Sequence, residues 1–106
     1  MSSSSDSTSD FAIEVASTRR ARRRGLLGRD GIEGALLLTP ARAVHTFGMR
    51  FDLDIAYLDR DGRVLDMHRM RRWRIGRPRL RARSVLEAEA GAFERWGLRV
   101  GDVVPC

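Results

Sequence analysis

His45 and Asp54 are the one pairing in this sequence whose side chains could do acid–base work or hold a metal. An imidazole titrates near neutrality, and a carboxylate beside it would orient the ring and raise its pKa. Both lie in "VHTFGMRFDLDIAYLD", residues 44–59, where His45, Phe47, Met49, Phe51, Leu53, Ile55 and Tyr57 alternate with Thr46, Gly48, Arg50, Asp52, Asp54 and Ala56. That period predicts a strand with its odd side chains turned into the core. His45 is odd and Asp54 even, so a straight strand points them to opposite sides, and only a bend near Gly48 would reunite them. The expectation is a histidine at the rim of a core with its ring hydrogen-bonded. Asp54 is expected to accept from backbone amides at that bend in a structural network. A hydrolase-like or metal site on His45 and Asp54 is the alternative. No third ligand lies nearby in sequence, and no metal or cofactor is expected.

The second chemistry is anion recognition. The formal net charge is +6, and all twenty basic residues are arginine, whose planar fork grips phosphate and carboxylate. Eight of them crowd "RMRRWRIGRPRLRAR", residues 69–83. In an extended chain Arg77, Arg79, Arg81 and Arg83 would share one face at spacings of about 6.6–6.8 Å, close to phosphate spacing along a nucleic-acid strand. Trp73 would add a stacking surface. Arg72, Arg74, Arg77, Arg79 and Arg81 are the expected anion-binding set, against the blander reading of a solvated charge run. The glycines of "GLLGRDGIEG" lack the strand-to-helix setting and the lysine of a phosphate cradle. Cys106 is the single cysteine, which excludes an intrachain disulfide, and a terminal thiol is expected to be a bystander.

The elements that must position these residues follow from pattern. "FAIEV" (11–15) alternates as a half-buried strand with Phe11, Ile13 and Val15 inward. "ASTRRARRRGLLGRDG" reads as a short helix capped by Ser17 or Thr18, closed by Gly28, and leaning on Ala21, Leu26 and Leu27. "GALLLT" (34–39) is a buried strand. A bend or break is expected between Gly48 and Asp52, since strands usually stop near ten residues. "LDRDGRV" then turns a hairpin spanning 53–68, with Gly62 supplying positive φ. "SVLEAEAG" (84–91) is a strand, and "AFERWGLRVGD" a helix closed by Gly97, with Leu98 folding back on Phe93. "DVVP" is a last brief strand. Six or seven short strands with two small helices predict a β-rich α+β fold, a compact, mostly antiparallel, partly closed barrel.

"RRRGLLGR", "HTFGMRFDLDIAYLDRDGRV" and "VLEAEAGAFERWGLRVGD", in that order, resemble the domain-of-unknown-function family 192 from about Phe11 to Val104. The resemblance implies a mostly antiparallel β fold with short helices, and no established activity. Arg50 and Phe51 stand where many members continue Met-Lys-Asn-Thr, Asp52 stands where others place proline, and arginines replace the cysteines many carry after the hairpin. No site built on those asparagines or cysteines transfers.

Residues 1–10, "MSSSSDSTSD", are expected to be a disordered leader to a single domain over 11–106. No run reaches the roughly 20 apolar residues of a membrane span, and no secretion signal is present, so the cytoplasm is the expected location. The leading expectation is a small non-catalytic binding or accessory module, monomer or weak dimer, that meets an anionic macromolecule or protein partner through the arginine-rich loop. Sequence-indifferent nucleic-acid binding is the first alternative.

Overall fold

The span that alternates from His45 to Tyr57 folds as two unlike pieces. In the computed structural model, which describes residues 11–46 and 48–105, only Leu53–Leu58 is strand (β3), while the chain before it is an irregular loop. The remaining elements are β1 (Ile13–Ala16), α1 (Arg19–Arg24), β2 (Ala35–Leu38), β4 (Val64–Met70), β5 (Ser84–Glu89) and α2 (Ala92–Trp96). The five strands form one sheet in the order β1-β2-β5-β3-β4. β1 and β2 run parallel through the α1 crossover, and every other pairing is antiparallel.

The expected partial closure into a barrel is corrected by this order: the sheet is open, with β1 and β4 at its two edges. Separate apolar layers cover its faces, so closure is not needed to exclude water. One layer joins Leu37, Ala56, Leu58, Leu86 and Ala88 to Phe11, Phe93, Leu98 and Val104. The other joins Leu36, Leu38, Leu53, Ile55, Tyr57 and Val85 to Leu26, Val44, Met49 and Met70. β3 lies between β5 and β4 and is buried along its whole length, even positions included. Alternation in such a strand therefore does not separate core from solvent.

Local expectations divide in the same way. The hairpin of β3 and β4 forms as read: Asp59 Oδ1 accepts from the Asp61 and Arg63 amides, and Gly62 takes φ +83°. α2 ends at Gly97 in the left-handed region, and the Leu98 amide returns to the Phe93 carbonyl at 2.9 Å. Thr18 caps α1 by accepting from the Ala21 amide, but Gly25, three residues before the expected Gly28, closes it. Val15 is 59% exposed because β1 is an edge strand, so the inward alternation expected of 11–15 fails at its end. Residues 102–105 make only an isolated bridge, Val103 with Arg63, where a strand was expected, and among the described residues five strands form where six or seven were expected. The expected leader at 1–10, the core placement of Phe47 and the terminal thiol of Cys106 lie outside the described residues.

Candidate functional site

His45 and Asp54 do not share a site. Asp54 is buried beneath α2, where Oδ2 accepts from the Gly91 and Phe93 amides at 2.9 and 3.1 Å and Oδ1 from Arg69 Nε at 3.1 Å. It satisfies the first turn of a helix whose own N-cap, Gly91, has no side chain to offer. Asp54 does accept from backbone amides, but from those at the start of α2 and not from those of the bend where they were expected. His45 is exposed, against the inward placement expected of it, and bridges Ile75 beside a cavity of the opposite layer.

The residue after it organises the arginine segment. Thr46 is 0% exposed. Its amide donates to the Arg74 carbonyl and its Oγ1 to the Arg71 carbonyl, at 2.7 and 2.6 Å, while Oγ1 accepts from the Arg74 amide at 2.7 Å. Its carbonyl accepts from Trp73 N. These bonds hold residues 71–74 in a tight loop with Trp73 at φ +64° and 61% exposed. Asp52, Arg71, Arg72, Trp73 and Arg74 line a shallow open hollow there.

The extended ladder expected from Arg77 to Arg83 does not form. The chain turns at 79–82, where the Ala82 amide donates to the Arg79 carbonyl, so the alternating guanidinium groups do not share a face. Arg79 folds inward onto the sheet: its Nε and Nη2 meet Asp66 Oδ2 at 3.0 and 2.9 Å, and its guanidinium lies 4.7 Å from the Tyr57 ring centre. Arg72 pairs with Asp52 at 3.6 Å, and Arg74 Nη1 donates to the Arg72 and Trp73 carbonyls. Among the described residues Arg77 and Arg81 make no ion pair, and Arg81 lines a second open hollow in which Arg42, Arg60 and Arg83 stand beside Asp59 and Asp61.

The structure adds an acid that the pattern reading passed over. Glu87, in the middle of β5, is 3% exposed and flanked in the sheet by Leu36 and Ile55. No described residue donates a hydrogen bond to it, and burial pushes its carboxyl up to about 7. It borders a cavity of about 90 Å³ closed by Leu26, Leu38, Val44 and Met49, with His45 and Arg22–Arg24 among its lining. A Cβ placed on Gly25 would lie 3.5 Å from Glu87 Oε1 and 3.9 Å from the Arg22 carbonyl oxygen. Both acceptors thus face the space that glycine leaves open. Among the described residues no group of three or more histidines, cysteines or acids is placed to hold a metal.

An open five-stranded α+β sheet, with a bolted arginine loop on one side and a buried acid within one layer, defines the class of this domain. The chain belongs to the DUF192 family, described as Uncharacterized ACR, whose sequence profile matches residues 1–106. It is similar to a UPF0127 protein of Thermococcus gammatolerans, 34% identical over 98 residues, covering 87% of this chain and 64% of that one. A UPF0127 protein of Thermococcus kodakarensis is 29% identical over 98 residues, with 87% and 62% covered. The chain thus spans a little under two thirds of the length of these relatives. The fold is similar to that of a protein of unknown function from Novosphingobium aromaticivorans, with a TM-score of 0.79, 24% identity and 91% and 75% of the two chains covered.

Proposed function

We propose that this domain is a non-catalytic binding module that engages an anionic macromolecular partner through the loop of residues 71–83. The observation that carries the reading is the presentation of Trp73: a large apolar ring held outward, in a backbone conformation uncommon for a bulky residue, among Arg71, Arg72 and Arg74. Arg77 and Arg81 extend the cationic surface, whereas Arg79 is held by Asp66 and the Tyr57 ring and contributes least. A cytoplasmic setting and a monomeric or weakly dimeric state belong to the same proposal. Among the described residues no helix is long and apolar enough to cross a membrane.

A second reading narrows the partner to single-stranded nucleic acid, and the exposure of Trp73 favours it. Stacking on one aromatic ring contributes about 1–3 kcal/mol per base. Fluorescence anisotropy with a labelled oligonucleotide and with labelled heparin separates the two. Binding of both should fall steeply with salt, and R77A/R81A should weaken it far more than R79A. Trp73→Ala should weaken oligonucleotide binding about tenfold or more while leaving heparin binding nearly unchanged if bases stack there. No binding of either polyanion at low salt removes both readings. A catalytic role for His45 with Asp54 finds no support in their placement, since the two side chains serve different layers.

A further inference from the structure

Glu87 has no task in the reading above. An acid between Leu36 and Ile55 with no hydrogen-bond partner among the described residues, its carboxylate opening on a small cavity, is costly unless something is placed against it. Its surroundings are specific. Oε1 and the carbonyl oxygen of Arg22 approach the same point beside Gly25. That carbonyl sits in the last turn of α1, where the Gly25 amide donates to Ala21 and the Leu27 amide to Arg24, so neither returns to it. Helix C-termini favour positive charge. Gly25, at φ +51° and ψ −129°, adopts a conformation that strongly favours glycine, and its missing Cβ keeps the point open.

We propose that this cavity binds a small amphoteric molecule, its protonated primary amine against Glu87 and the Arg22 carbonyl, its short apolar body among Leu26, Leu38 and Met49, and its carboxylate toward the arginines of α1. The two acceptors on one side ask for N–H donors. The middle walls are apolar, and the lining that remains is Arg22–Arg24 with His45; Arg22 Nη1 donates to the Ser17 carbonyl, so the side chains of Arg23 and Arg24 are the ones left to meet a carboxylate at the mouth. The volume of about 90 Å³ gives room for about six to nine water-sized atoms, the size of a small amino acid. An ammonium ion placed on a buried carboxylate forms the strong, charge-assisted class of hydrogen bond and removes the unpaired group.

The test is an amide NMR titration of the full chain with γ-aminobutyrate, n-butylammonium and butyrate. γ-Aminobutyrate at millimolar concentration should shift the amides of Gly25, Leu26, Val44 and Glu87, and should give intermolecular NOEs to the methyl groups of Leu26, Leu38 and Met49. n-Butylammonium should bind the same residues more weakly, and butyrate should not bind there. Glu87→Gln, which keeps size and shape, should weaken γ-aminobutyrate binding by about tenfold or more, the effect of losing one hydrogen bond to a charged group. The NOEs on the unaltered chain decide the matter if that variant folds poorly. Absence of any effect from both amines, butyrate binding as well as γ-aminobutyrate, or a folded Glu87→Gln chain that binds undiminished overturns the proposal.

Discussion

Thr46 carries no charge and presents no surface, yet it fixes the position of the most exposed aromatic ring beside the arginines. Replacing it with valine keeps the shape and removes the hydroxyl, leaving the Arg74 amide without its acceptor at 2.7 Å. Stability should fall by about 1–3 kcal/mol in urea titration, and hydrogen exchange should speed up most at Trp73 and Arg74. Glu87 makes a prediction of the opposite sign. With its pKa moved from 4.5 to about 7 in the folded chain, the native state keeps a proton that the unfolded chain gives up first. Between those values stability therefore falls as pH rises, by up to about 3 kcal/mol, and levels off above pH 7. Arg22–Arg24 on α1, His45 on the neighbouring loop and Tyr57 on β3 are the charged or titratable groups facing it, so they set where the change begins. Glu87→Gln should remove this component of the pH dependence and be more stable than the parent at pH 8 in denaturant melts.

Elements owe much to single residues of their neighbours. α2 has only five residues, too short to stand alone, and takes its first-turn acceptor from β3 through Asp54. Asp54→Asn should lower stability by about 2–3 kcal/mol, with the loss seen as a lower urea midpoint and earlier exchange of the 91–97 amides, while amide shifts around the Glu87 cavity stay in place. What the sequence made legible follows the same division. The β3–β4 hairpin could be read because Asp59 and Gly62 state the turn in local chemistry, and α2 because Gly97 and Leu98 state its end. The loop before Leu53 was misread because Met49 enters the core from irregular chain while keeping the parity of a strand. Parity gives Glu87 no mark of burial, since Glu89 shares it on the strand. Only the placement of β5 between β2 and β3 buries one of that pair. The available signal was a lone acid within the nearly continuous apolar run Val85, Leu86 and Ala88, the mark of a strand covered on both faces. Thr46 gave no signal, since its partners lie 25 to 28 residues away.

At the scale of the whole molecule, charge is unevenly committed. Arg29 holds Glu14, Arg50 holds Asp30, Arg69 holds Asp54 and Arg79 holds Asp66, so much of the basic excess is answered locally. What is left over is shared between the five arginines of α1 and those of the 71–83 loop, among them Arg77 and Arg81, and it is the loop's share, not the net charge of +6, that should set the salt slope of polyanion binding there. The open sheet has a further consequence. Its outermost strands have no further strand beside them and so offer a template on which a second chain could continue the ladder, except at Val64, whose amide and carbonyl bond Asp102 and Gly101. At one border the strand is only four residues long, and at the other Asp66, His68 and Arg69 interrupt the apolar positions. Brevity on one side and polarity on the other guard the molecule against growing into fibres, at the borders where ring closure would have left nothing to guard.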